Sequence, residues 1–106
     1  MKRYSYYSIF VYDQEIPGAI NIEFPDLPGC LSCAYSYSEA KKNAREALQL
    51  YLDGMDISNV PQPSVISAES MHGKGISIEK ITIKMRMENS RLIGRGIKRF
   101  KSNFAE

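Results

Sequence analysis

Hydrophobic and polar positions along the chain follow two rhythms, and the change between them marks the elements. Residues 4–12 (YSYYSIFVY) are aromatic and β-branched, without Gly, Pro or charge. A run of this kind suits a strand that is apolar on both faces and lies in the middle of a sheet. The Pro17-Gly18 pair that follows fits the two central positions of a type II turn. Ile20, Ile22 and Phe24 then alternate with Asn21 and Glu23, the period-two pattern of a strand with one buried face. Pro25 ends that strand because it cannot donate to a ladder. Asp26-Leu27-Pro28-Gly29 repeats the turn chemistry, and a third strand is expected from about Cys30 to Tyr35. These three strands form an antiparallel meander.

At Ser36 the rhythm becomes helical. Ser36 is placed as an N-cap with Glu39 three residues on, and Ala40, Ala44, Ala47, Leu48 and Tyr51 recur on one face. The helix should run from Tyr37 to about Asp53, with Gly54 at the left-handed position beyond it. Lys41, Lys42, Arg45, Glu46 and Gln49 make the opposite face polar, so one side alone is packed. Residues 55–75 hold Pro61, Pro63, Gly73 and Gly75 and read as a surface linker.

Ile76 and Ile78 alternate in one phase, whereas Ile81, Ile83, Met85 and Met87 alternate in the other. That slip predicts a bulge or break at Glu79-Lys80. In residues 89–106, Ile93, Ile97, Phe100 and Phe104 fall at helical spacing, although Gly94 and Gly96 weaken such a helix by about 1 kcal/mol each. The expected fold is α+β: a three-stranded meander, one helix and a fourth strand (βββαβ), then a short C-terminal helix. It divides into a domain over residues 1–88 and a basic tail over residues 89–106.

A length of 106 residues suits one domain, and 43% hydrophobic with 25% charged residues is a globular composition. No run approaches the ~18–20 apolar residues of a membrane span. No signal-peptide core follows Met1-Lys2-Arg3-Tyr4, so a cytoplasmic location away from membranes is expected. The net charge of +2 conceals an asymmetry. Residues 1–83 carry seven Lys/Arg against ten Asp/Glu, and residues 84–106 carry seven against two. A mildly acidic body with a basic tail points to an anionic partner for the tail.

Catalytic and metal chemistry find little support. Cys30 and Cys33 form a C-x-x-C, but residues three apart on a strand point to opposite faces, and a zinc site needs two further ligands. His72 is the single histidine. A metal-dependent nuclease needs carboxylates clustered on its sheet. Here residues 4–12 contain none, Asp13, Glu15 and Asp26 fall in loops, and Glu23 is alone on its strand. The chain therefore reads as a non-enzyme without metal or cofactor. Its basic residues Lys84, Arg86, Arg91, Arg95, Lys98, Arg99 and Lys101 have three readings: a nucleic-acid phosphate site, a docking element for a partner protein, or a solvated end. Thr82, Lys84 and Arg86 on a strand before a helix also suggest a ribbon-helix-helix DNA reader. The 18 residues after Glu88 fall short of its two helices.

Two motifs carry a family resemblance. The run Ile22-Glu23-Phe24-Pro25-Asp26-Leu27-Pro28-Gly29-Cys30 resembles the strand–turn–strand of HicB-like antitoxins. Glu39-Ala40, Asn43-Ala44-Arg45-Glu46-Ala47-Leu48 and Tyr51-Leu52-Asp53-Gly54 resemble that family's helix, and Pro61 and Pro63 also fit. The similarity covers about residues 4–87. It implies a partial RNase H-like fold lacking the nuclease carboxylates. It also implies a function: neutralising a HicA-like toxin, a small mRNA-cleaving protein, by covering its active-site face. Assembly into a homo-oligomer, dimer or tetramer, is implied as well. Many members add a C-terminal DNA-binding module, and this tail departs from that pattern. The acidic body suggests Asp13, Glu15, Glu23 and Asp26 as toxin-binding residues that mimic RNA phosphates.

Overall fold

Strand β1 (Lys2–Tyr12) runs through the middle of the sheet, the position that the charge-free run 4–12 within it suits. A computed structural model describes residues 1–64 and 75–94. Around β1 lie β2 (Ile20–Glu23), β3 (Leu31–Ala34), β4 (Ile76–Glu88) and β5 (Arg91–Gly94), in the order β3-β2-β1-β4-β5 with every pair antiparallel. Both Pro-Gly turns form. Ala19 N–H donates to Ile16 O at 3.1 Å and Cys30 N–H to Leu27 O at 2.9 Å. Gly18 and Gly29 adopt φ of 84° and 86°, which a type II turn requires at its third residue.

Helix α1 (Tyr37–Leu52) lies across one face of this sheet. Ser36 Oγ accepts from Glu39 N–H at 3.2 Å, a cap worth about 1 kcal/mol. The Glu39 carboxylate reaches back to Tyr35 N–H at 2.8 Å, one residue earlier than a standard capping box. Ala40, Ala44, Leu48 and Leu52 are fully buried on the inner face. The alanines let the helix approach closely, and each leucine contributes about 2–3 kcal/mol of burial. Beneath them pack Tyr6, Phe10, Ile20, Ile22, Phe24, Ile81, Ile83, Met85 and Leu92.

Two expectations are corrected. The β1–β4 register runs unbroken from Lys2↔Met85 to Val11↔Ile76, so no bulge forms at Glu79-Lys80. The apolar phase reverses because Ile76 and Ile78 sit on the sheet face turned away from α1. Nor do residues 91–94 belong to a C-terminal helix: they form β5, with Ile93 opposite Arg86. Asn89 and Ser90 close that hairpin as a two-residue loop with φ of 51° and 64°, both left-handed as in a type I′ turn. The sheet thus continues through Gly94. Ile97, Phe100 and Phe104 lie outside the described residues.

The segment read as a linker is tied to the body as far as residue 64. Gly54 N–H donates to Leu92 O at 2.7 Å, Leu92 N–H to Met55 O at 2.9 Å and Ile57 N–H to Ser90 O at 2.8 Å. These bonds cover the outer edge of β5. A short 3₁₀ turn, Ile57–Asn59, follows. Tyr6 then holds Pro61, and Asp26 accepts from both the N–H and the hydroxyl of Ser64 at 2.7 Å each. Residues 65–74, His72 among them, lie outside the described residues.

Candidate partner-binding site

The sheet face opposite α1 is graded along its length. At one end the cross-strand pairs Val11–Ile76 and Ile9–Ile78 are apolar, and Ile9 is 5% exposed. Tyr7 faces Lys80 in the middle, and the Ser5 and Thr82 hydroxyls meet at 2.7 Å. At the other end Arg3 stands directly opposite Lys84, both exposed. Like charges in direct cross-strand register oppose folding, so this pair suits a surface that meets an anion. Arg86 beside Lys84 is partly neutralised by its ion pair with Glu88. The face therefore offers apolar area at one end and positive charge at the other.

The four acidic candidates do not form one patch. The Asp13 carboxylate accepts from the N–H groups of Glu15 (2.7 Å) and Ile16 (2.8 Å), which holds its pKa below the usual carboxylate range. Glu15 projects from the same turn. Asp26 sits at the far end of β2, where Ser64 occupies both of its oxygens. Glu23 stands on the open face opposite Ile9 and Leu31. Asp13 and Asp26 thus shape loops, whereas Glu15 and Glu23 present their carboxylates to solvent.

Among the basic candidates, Lys84 and Arg86 lie on the open face of β4. Arg91 instead donates from Nη1 to Gly54 O at 2.8 Å, placing its positive charge just beyond the C-terminus of α1 where the helix dipole favours it. Arg95, Lys98, Arg99 and Lys101 lie outside the described residues.

The cysteines diverge. Cys30 is buried, its Sγ 3.6 Å from Ala47 O, and burial pushes its thiol up to about 11. Cys33 is exposed on the far face. Among the described residues, no group of three or more His, Cys, Asp or Glu could hold a metal ion. Also among them, no helix is long and apolar enough to cross a membrane.

Sequence reasoning missed three features of the fold, two of them on the helix side and one on the open face. The Tyr37 hydroxyl donates to Glu79 at 2.8 Å, which raises the phenol's pKa. Asn43 Nδ2 donates to Cys33 O at 2.8 Å. The first joins residues 42 apart in the chain and the second residues 10 apart, and no local pattern announces either. The Arg3–Lys84 pair became visible only with the register.

Comparison with known proteins bears on this arrangement. A family model described as "HicB_like antitoxin of bacterial toxin-antitoxin system" matches residues 7–92, a span reaching from β1 into β5. An uncharacterized 14.9 kDa protein from the rep-hol intergenic region of Haemophilus phage HP1 is 38% identical over 47 residues. That similarity covers 42% of this chain and 35% of the phage protein, so the chain spans about a third of the relative's length. With the family model covering most of the sheet and all of α1, the chain belongs to the HicB-like antitoxin family of bacterial toxin–antitoxin systems.

Proposed function

We propose that the protein binds and neutralises a small HicA-like, mRNA-cleaving toxin in the cytoplasm, covering its active-site face without performing chemistry itself. The family match over residues 7–92 carries this reading. In it, the meander and helix are a partial RNase H-like fold whose surface serves contact rather than catalysis. A toxin that cleaves RNA keeps a basic, substrate-binding face exposed, and about 800 Å² of protein per partner is enough to occlude one. Glu15 and Glu23, whose carboxylates reach solvent, would imitate RNA phosphates, with Asp13 and Asp26 fixing the loops beside them.

The test is co-purification with a candidate toxin, assaying that toxin's RNA cleavage with and without this protein. Stoichiometric binding that abolishes cleavage is expected. Joint replacement of Asp13, Glu15, Glu23 and Asp26 by their amides should weaken binding at least tenfold. Unchanged affinity would remove the phosphate-mimic mechanism, and absence of a complex would remove the antitoxin reading for that toxin.

One observation favours a second reading, a nucleic-acid-binding regulator. The exposed Arg3–Lys84 pair, with Lys80 on the same face, extends the basic character of residues 84–106 onto the sheet. Nucleic-acid affinity that falls steeply with salt, and falls again in Lys84→Ala, would support it.

A further inference from the structure

We infer that the open face of the sheet binds a single-stranded nucleic acid, with Tyr7 stacking on an unpaired base while Arg3, Lys80 and Lys84 meet its phosphates. This rests on the nucleic-acid reading above and goes beyond it by naming the form of the ligand and the side chain that recognises it. Arg3 and Lys84 are opposed on β1 and β4, and Lys80 stands opposite Tyr7, two same-face pairs farther along. All three cations are exposed, and none has an ion-pair partner among the described residues. The neighbouring carboxylates are engaged elsewhere. Glu79 turns to the α1 side, where it meets Tyr37 and Lys41, and Glu88 pairs with Arg86. Glu23, opposite Ile9 and one pair beyond Tyr7, marks the end of the cationic stretch.

Cations alone do not distinguish a duplex from a single strand, since both carry phosphates. The residue standing among them does. Tyr7 is half-buried on the open face, between Ser5 and Ile9 along β1 and across from Lys80. The hydroxyls of Tyr6, Tyr12, Tyr37 and Tyr51 each hold another part of the fold, whereas that of Tyr7 has no hydrogen-bond partner among the described residues. An aromatic ring on a sheet surface gives a base a face to stack on, and such stacking tolerates any base. A duplex keeps its base faces inside, so only an unpaired strand can use the ring.

Spacing and electrostatics fit the same ligand. Successive same-face pairs lie about 7 Å apart along the strands, so Arg3–Lys84, Ser5–Thr82 and Tyr7–Lys80 together cover about 14 Å. A few extended nucleotides span that length. In the middle, the Ser5 and Thr82 hydroxyls share one hydrogen bond at 2.7 Å, which leaves one hydroxyl proton free for a sugar or a base. The like-charged Arg3–Lys84 pair opposes folding in the free protein, and a phosphate laid between the two cations turns that repulsion into attraction.

The experiment is fluorescence anisotropy of the full 106-residue chain with an unstructured RNA of about 12 nucleotides, the same strand as DNA, and the corresponding duplex. Binding of either single strand about tenfold more tightly than the duplex is expected, and the ratio of the two tells RNA from DNA as the source. Tyr7→Leu should weaken single-strand binding about tenfold. An abasic strand, which keeps the phosphates, should bind the wild type correspondingly weakly and lose nothing further in Tyr7→Leu. Lys84→Ala should lower the slope of log affinity against log salt by about 0.7. Lys42→Ala, on the exposed polar face of α1, should leave affinity and slope unchanged. If Tyr7→Leu fails to fold, the abasic strand still tests the wild type. Equal affinity for the duplex, or full affinity for the abasic strand, would overturn this assignment and leave the nucleic-acid reading in place. Absence of salt-dependent binding to every one of these ligands would remove both. A poly-glutamate peptide that binds as tightly as the single strand would give the face to an acidic protein and likewise overturn the assignment.

Discussion

The Tyr6 hydroxyl, on the central strand, donates to the carbonyl of Pro61, 55 residues away, at 2.5 Å. Tyr6 is 1% exposed, so this bond satisfies a polar atom at the floor of the core while tying down the chain beyond α1. Tyr6→Phe should lose about 1 kcal/mol and lower the melting temperature by about 4–8 °C. Urea denaturation monitored by circular dichroism measures it. An unchanged midpoint would mean that the bond contributes nothing net.

The β4–β5 turn places Ser90 at a φ of 64°, a region that costs a residue with a Cβ about 1–2 kcal/mol. Ser90→Gly creates an Asn-Gly pair and relieves that cost, less the larger chain entropy of glycine. A net gain of about 0.5–1 kcal/mol is expected. Loss of stability on the same denaturation curve would argue against a type I′ turn.

Leu48 and Leu50 lie two residues apart on α1 and differ completely in burial, at 0% and 61% exposed. Leu48→Ala should cost about 2–5 kcal/mol through lost transfer energy and the cavity left behind. Leu50→Ala should change the stability of the monomer by no more than about 0.5 kcal/mol. Comparable losses at the two sites would contradict the helix orientation.

Two carboxyl groups contribute to the acid limb of stability. Asp13 is lowered below its ordinary 3.8 by the N–H groups of Ile16 and Glu15, and Asp56 by the hydroxyl and N–H of Ser58. A depressed folded pKa gives stability that is present above 3.8 and lost as pH falls through the lower folded value. The urea midpoint should therefore decline below about pH 4. Asp13→Asn with Asp56→Asn should flatten that decline, and an equally steep limb in the double variant would assign it to other groups.

Cys30 should resist alkylation in the native state. Its thiol is buried and its pKa stands near 11, so little thiolate exists at pH 8. Mass spectrometry after iodoacetamide should show Cys30 modified in urea but not in buffer. Native labelling of Cys30 would mean that α1 lifts from β3.

Much of the fold was legible in the sequence because its signals are local. The Pro17-Gly18 and Pro28-Gly29 turns, the Ser36 cap and the alanine stripe of α1 each announce a conformation within a few residues. The rest was hidden for physical reasons. Ile76 and Ile78 looked out of phase because apolar side chains were assumed to face one core, whereas they pack beside Ile9 and Val11 on the other side of the sheet. Strand β5 was masked by its turn, since Asn89 and Ser90 adopt left-handed φ without a glycine to mark them. Asp13, Glu15 and Asp26 were correctly placed in loops and Glu23 on its strand, but Asp26 and Ser64 meet only through tertiary structure, and that contact decides what the carboxylate does.

The closed β5 edge also sets a spatial separation. Gly94, where β5 ends, lies four inter-strand steps or about 19 Å from β3. With β5 capped by residues 54–57, backbone pairing has no room on that flank, so among the described residues the sheet can grow in one direction alone.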